Sequence, residues 1–536
     1  MRKADPKSWW LQCERWHIGT PAGGSGVSGD LNLTTGPEPR PVAPLALTLV
    51  VCVSFEWRLR SVRLFWRLRE STLMAPGGPG GPLGGLQGPA RPKQKAKGMS
   101  NRVSNRQQSS SSSSRKNRNS YSSSKCEKTW EYSSSLADGK ARVAIIGGGI
   151  SGLCCAQGLL ERKVRCTVFD TGENGAGGRL ATRRAGDPSH NGFTGEEVEG
   201  QCWDHACQWF TCDDPEFDSV VKEWSAKGIV REWEHDNAVG SLDAVLGTSA
   251  IGGGGSGQKW IGRRGMRDVA EDLLQSLREA HPASKGAFEV SRPAWVNKLK
   301  PREEGWEVFA RGKTKGVFDM VVIAHNGKCA NRLVKPTGAE RTLRQLRSLK
   351  LSAIWALMVE FESTGTGQPP VLPSGLQACF VSNSDVISFV GNQSAKYGPS
   401  KSGTECFTLF STEGFGRQHK VPQEAVPPAK AAEVRDLMLG ALFAIPGVSR
   451  REVGPAWRAQ LWGAALPTNA LGEPFILERE KRIAVCGDWL TGSGVQDAAL
   501  SGFALAAAIA EGIPSNAGLD AKLRPLAGVT PIGSFY

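Results

Sequence analysis

The hydrophobic pattern is uneven along this chain, and its clearest segment runs from residue 140 to 184. Residues 143–146 form an unbroken apolar run, as in a strand buried on both faces. A glycine turn follows, and then Leu153, Ala156, Leu159 and Leu160 recur at helical spacing. A second apolar run, 164–169, ends at Asp170. The pattern predicts strand, helix and strand, the opening unit of a parallel sheet.

Further along, helical spacing recurs at Phe217, Val220, Val221 and Trp224, and again at Val269, Leu273, Leu274 and Leu277. Residues 202–212 alternate with bulky aromatics and read as a strand, and 241–257 read as a glycine-rich loop. Strands are predicted over 288–296, 305–310 and 320–324, and the last ends in a turn at His325-Asn326-Gly327. From 331 to about 477 the texture changes. Apolar strands at 351–361, 386–390, 406–411 and 456–466 surround one helix, 431–443, as in a substrate domain of mostly antiparallel strands. A strand at 482–486 and a small-residue helix at 497–511 close the body.

The expected fold is therefore α/β. A discontinuous Rossmann-type cofactor domain takes residues 140–215, 258–330 and 478–515. A β-rich α+β substrate domain takes 216–257 and 331–477, with a tail at 516–536.

Charge changes the picture at the N-terminus only. Of 536 residues, the first 140 hold 22 Lys and Arg against 9 Asp and Glu, whereas the remainder holds 44 against 43. A near-neutral body does not indicate a nucleic-acid partner. Residues 1–139 are Pro/Gly- and Ser-rich, with a serine tract at 109–114, and read as a disordered basic leader. Their composition resembles an organelle transit peptide, so a plastid or other organelle address is expected, with the cytoplasm as the alternative. The apolar run 43–55 is too short to span a bilayer, so no transmembrane segment is expected.

The chemistry sits where the elements meet. Gly147, Gly149 and Gly152 have G-x-G-x-x-G spacing between the first strand and its helix. That arrangement permits a tight turn, close approach of the backbone to a pyrophosphate, and close helix packing. Ile150 and Ser151 open the helix, whose free N–H groups and dipole favour phosphate. Asp170 stands where a carboxylate meets ribose hydroxyls. Gly177-Gly178-Arg179 adds a guanidinium suited to phosphate oxygens, which favours FAD over NAD as the tightly held cofactor. Near the C-terminus, Asp488 follows a strand and Val495 opens a helix whose positive end suits the reduced flavin's negative charge. Cys202, His205, Cys207 and Cys212 are zinc-ligand types, but their spacing fits no common zinc pattern, and no metal is expected.

The motifs VAIIGGGISGL, GGRLATRR, DHACQWFTC, WIGRRGM, FDMVVIA, WALMVEFE and CGDWLTGSGVQDAALSGFALA occur in this order. Together they resemble the renalase-like branch of the FAD-dependent amine oxidase superfamily, over residues 141 to about 512. Cys207 stands where renalases more commonly have a smaller residue, and His325-Asn326 looks like the plant and algal members. The resemblance implies that Ser151, Asp170, Arg179, Cys207 and Gln208 approach FAD. It also implies that Val296 meets the adenine and Asp488 the ribityl or phosphate groups.

The expected reaction is hydride transfer from a small organic donor to the flavin, with reoxidation by oxygen or another acceptor. Renalases proper would imply dihydronicotinamide isomers as that donor, so NAD(P)H or its isomers are the expected small-molecule substrate. Gln208, Trp209 and His205 are candidates for the flavin face, with His205 and Gln208 as the candidate catalytic residues. Trp355 and Trp462 are candidate pocket walls. A desaturase or amine oxidase acting on a lipophilic or amine substrate, and a flavin-binding module without turnover, are the alternatives.

Overall fold

A computed structural model describes residues 141–185, 200–233, 239–251, 257–362, 369–373, 376–401 and 403–526. Residues 1–139, expected as a basic leader with a targeting signal, lie outside the described residues.

In chain order, the first segment comprises β1 (Arg142–Ile146), α1 (Ile150–Glu161), β2 (Arg165–Phe169), β3 (Thr182–Arg184), β4 (Cys202–Asp204) and α2 (Pro215–Ala226). Next come β5 (Val230–Glu232), β6 (Val239–Asp243), β7 (Ser249–Ile251), β8 (Trp260–Gly262) and α3 (Arg267–Ala280). Then follow β9 (Phe288–Ser291), β10 (Val296–Pro301), β11 (Trp306–Ala310), β12 (Lys313–Phe318), β13 (Met320–Ile323), α4 (Gly327–Val334) and α5 (Glu340–Ser348). The next stretch holds β14 (Ile354–Phe361), β15 (Ala378–Ser382), β16 (Ile387–Asn392), α6 (Gln393–Tyr397), β17 (Glu405–Ser411), α7 (Glu413–Gln418), α8 (Pro428–Phe443) and β18 (Val453–Trp462). The last consists of β19 (Asn469–Ala470), β20 (Ile476–Glu478), β21 (Ile483–Val485), α9 (Val495–Ala510) and β22 (Arg524–Pro525).

Six strands form one sheet in the order β20-β21-β13-β1-β2-β9, parallel except for β20. Alternation along β1 explains why its sequence is apolar from Val143 to Ile146. Val143 and Ile145 join the core shared with α1, α3 and α9, whereas Ala144 and Ile146 join the core beneath the β10–β12 meander, α4 and α5. Residues 331–348, expected to open the second part of the substrate domain, therefore pack as helices on this sheet.

The other large sheet runs β18-β14-β17-β16-β15-β6-β7, and all its pairs are antiparallel except β15 with β6. The stretch expected as a glycine-rich loop thus supplies the β6–β7 hairpin. One face carries Trp355, Leu357 and Val359 beneath α8, and the other carries Ile354 and Ala356 into the core of the cofactor half. Among the described residues no helix is long and apolar enough to cross a membrane.

α1 and α9 cross at glycines. A Cβ at Gly502 would lie 2.3 Å from the Ser151 carbonyl oxygen and 2.8 Å from the Cys155 nitrogen. Backbone cannot yield as a side-chain end can, so Gly502→Ala is expected to lower stability by about 3 kcal/mol. Thermal unfolding measures the loss, and an unchanged midpoint would contradict this packing.

Candidate active site

The glycine turn is built for a close visitor. Gly147 adopts φ +122°, and a Cβ there would lie 2.6 Å from the Ala324 carbonyl oxygen, so both conformation and space require glycine. α1 begins at Gly149 with no side-chain cap, leaving its first N–H groups to an outside acceptor. Ile150 and Ser151, both buried, form the first turn. The space beside Gly149 is open, since a Cβ there would meet only the Gly177 carbonyl oxygen, at 3.9 Å. Asp170 braces the turn, accepting from Gly148 N–H at 2.8 Å and Gly172 N–H at 2.7 Å. Gly149 and Gly177 also meet in a parallel bridge, which brings Gly178 and Arg179 beside the turn.

Arg179 and Asp488, 309 residues apart, form an ion pair at 2.6 Å, and the other guanidinium nitrogen donates to the Ala465 carbonyl at 3.2 Å. The pair ties the first segment of the cofactor half to the last. Val495 opens α9 beside it, and Asp497 caps the preceding turn through Ser493 and Gly494 N–H. Val296 is buried at the start of β10, within the core on the meander side of the sheet.

The segment DHACQWF differs from its expected form. Only 202–204 are strand, because the chain then turns back on itself. Gln208 Nε2 donates to the Asp204 carbonyl at 2.7 Å, and Gln208 Oε1 accepts from Gln393 Nε2 at 2.8 Å and Lys396 Nζ at 3.3 Å. The amide of Gln208, expected among the catalytic residues, is thus engaged by the protein at both ends. Trp209, expected near the flavin face, packs among Trp233, Phe380 and Phe389. Cys207 N–H holds the Arg179 carbonyl at 3.0 Å, so the turn reaches the cofactor residues through its backbone.

The anchor of that turn is a buried ion pair that the sequence reading missed. Asp204 Oδ2 accepts from Lys396 Nζ at 2.9 Å and Tyr397 OH at 2.6 Å, while Oδ1 accepts from Thr182 Oγ1 at 2.6 Å and Met266 N–H at 2.9 Å. Both charged side chains are at most 2 % exposed. Burial and Asp204 hold the Tyr397 phenol well above its ordinary range, so it remains a donor. The signal available in sequence was a Lys-Tyr pair after an apolar strand, with its partner almost 200 residues away.

His205 is 2 % exposed, stacks on Trp462 at 5.5 Å, and its carbonyl accepts from Trp462 Nε1 at 2.8 Å. Burial, reinforced by Arg183, Arg458 and Arg267, holds its pKa well below 6.5, so the ring is neutral. The folded state therefore resists a proton that the unfolded chain accepts. Its stabilising contribution is complete above pH 6.5 and is lost as the pH falls below it. His205→Phe is expected to flatten the fall in melting temperature between pH 6.5 and 5, and an unchanged slope would contradict this.

Trp462 and Trp355 do not share a wall. Trp462 pairs with Ile354 and Trp355 with Leu461, so the two indoles lie on opposite faces of the sheet. Trp355 is corrected to a core residue beneath α8. Of the zinc-type residues, Cys202, Cys207 and Cys212 donate to the carbonyls of Arg264, Trp209 and Asp214. Burial and then Asp204 push the Cys207 thiol up to about 12. Among the described residues no group of His, Cys, Asp and Glu is arranged to hold a metal ion.

Residues 145–224 match the NAD(P)-binding Rossmann-like domain family, and residues 233–510 match the family of flavin containing amine oxidoreductases. A reduced UDP-galactopyranose mutase is similar in structure at 13 % identity and a TM-score of 0.50, over 71 % of this chain and 96 % of that one. A cyclohexylamine oxidase from Brevibacterium oxydans IH-35A is 13 % identical at a TM-score of 0.45, over 70 % and 99 %. A putrescine oxidase is 13 % identical at 0.45, over 69 % and 98 %. The second family match takes in more than half of the chain, including Asp488, Lys396 and the β18 face. The chain belongs to the flavin-containing amine oxidoreductases, and it is an FAD-dependent oxidoreductase.

Proposed function

We propose that this protein is a renalase-like oxidase that takes a hydride from a small reduced nitrogen heterocycle, of the dihydronicotinamide-isomer class, onto its bound FAD. The carrying observation is the chemistry of the 204–208 turn. His205 is neutral, Gln208 is engaged at both ends, and Cys207 is a protonated thiol. Such a turn positions a donor and supplies no strong base, which suits a donor already activated for hydride loss. The motifs GGRLATRR, DHACQWFTC and GDW support the same branch.

When bound, FAD supplies the electron acceptor. The chain's residues do the rest. The uncapped start of α1 and the open side of Gly149 suit a pyrophosphate, and Asp170 suits a ribose. Arg179 and Asp488 hold the first and last segments together, and the start of α9 brings its positive end to the same region.

The test is the visible spectrum of the FAD-loaded protein under anaerobic addition of dihydronicotinamide isomers, and separately of primary amines. Bleaching by the isomers and not by amines is expected. Bleaching by amines alone would replace this reading with an amine oxidase, and persistence of the oxidised bands with both would overturn turnover of either class.

A further inference from the structure

One face of β18 has unusual chemistry for a sheet interior. Arg458, Gln460 and Trp462 alternate along it, paired with Met358, Ala356 and Ile354, and so point away from α8. The β3–β4 ribbon lies against the same face. Trp203, the cross-strand partner of Arg183, packs on Met358, the cross-strand partner of Arg458. Two guanidinium-bearing positions are thus brought together, and Trp462 carries His205 at the far end of the row.

Two buried polar atoms on this surface have no hydrogen-bond partner among the described residues: His205 Nδ1 and Gln460 Oε1. A buried polar atom left unsatisfied costs about 1–3 kcal/mol, so each of these two calls for a partner from a water or a ligand. The row adjoins the cofactor residues. Trp462 bonds the His205 carbonyl, Cys207 N–H bonds the Arg179 carbonyl, and Arg179 bonds the Ala465 carbonyl three residues beyond Trp462.

We infer that this face, with Arg458, Gln460 and Trp462 on β18 and Arg183 and His205 opposite, binds a negatively charged group of the electron donor, a carboxylate or a phosphate. The guanidiniums offer forked donors to such a group. Gln460 Oε1 accepts from an N–H or O–H of the same molecule, and the Trp462 ring gives a flat apolar wall. The crowding of positive charge is also felt within the protein, since burial and then Arg183 lower the Arg458 pKa to about 10. This deepens the functional reading above and rests on it, because a dihydronicotinamide nucleotide carries a phosphate, an amide N–H and a flat ring.

The test uses the FAD-loaded full chain and two ligand pairs, each differing in one anionic group: nicotinamide mononucleotide against nicotinamide riboside, and benzoate against benzamide. Binding is followed by flavin absorbance and calorimetry. In at least one pair the anionic member is expected to bind tenfold tighter or more, and which pair does so tells phosphate from carboxylate. Arg458→Gln and Arg183→Gln are each expected to remove most of that preference, and Arg458→Lys to restore part of it. In the wild-type protein the preference is expected to shrink as salt rises, a readout that needs no variant to fold. Equal binding within both pairs, no binding of either anion, or a preference that survives Arg458→Gln would overturn the inference. Anion preference without reduction by dihydronicotinamide isomers would sink the donor assignment alone. Reduction by the isomers without anion preference would sink the anion site alone.

Discussion

Lys396→Met is expected to destabilise the protein by about 3 kcal/mol, and Asp204→Asn by about 5 kcal/mol or more, the range for breaking a buried ion pair from one side. The two losses differ because the partners left behind differ. Without the ammonium, the Asp204 carboxylate keeps Thr182, Tyr397 and Met266 as donors. Without the carboxylate, the ammonium keeps as hydrogen-bond acceptors, among the described residues, the two oxygens of Gln208, and the new amide nitrogen faces two donors, Lys396 Nζ and Tyr397 OH. Both variants are also expected to release FAD more readily, because the 204–208 turn carries the Cys207 N–H that fixes Arg179. Denaturant midpoints and FAD content on purification measure both effects. A milder loss for Asp204→Asn than for Lys396→Met would show that the hydrogen bonds outside the ion pair are not what holds the carboxylate.

The cofactor half was legible because its signals are local. β1 is apolar from Val143 to Ile146 because helices cover one face of its sheet and a meander with α4 and α5 covers the other, and the glycines lie directly between β1 and α1. The site between the halves was legible only in part. Trp355 and Trp462 look equivalent as large apolar residues in strands, and only the register of β14 against β18 puts them on opposite faces. DHACQWF alternates like a strand, yet Gln208 folds back on the Asp204 carbonyl, and this bond depends on Gln393 and Lys396 from far along the chain. Arg458 and Gln460 did leave a trace: two polar residues on alternate positions of an otherwise apolar strand. That trace becomes a site only when the ribbon carrying Arg183 is known to lie against it.

Gly149→Ala and Gly152→Ala are expected to fail in opposite ways, although they stand three residues apart in one motif. A Cβ at Gly152 would lie 2.0 Å from the Gly147 carbonyl oxygen and 3.2 Å from the Ala324 Cβ, inside the joint between strand and helix. Gly152→Ala therefore acts on the fold, with a loss of about 3 kcal/mol or more before any ligand is considered. At Gly149 the backbone is in the extended region at φ −77°, which alanine adopts without strain, and the nearest atom to a Cβ is 3.9 Å away. Gly149→Ala is thus expected to leave the melting temperature of the FAD-free protein unchanged. The added methyl instead occupies the space that a pyrophosphate needs, and FAD affinity is expected to fall tenfold or more, about 1.4 kcal/mol. Titration of FAD by flavin fluorescence, beside thermal melts of both FAD-free variants, separates the two. If Gly149→Ala bound FAD as the wild-type protein does, the pyrophosphate would not lie against this turn, and the open side of Gly149 would have no part in holding the cofactor.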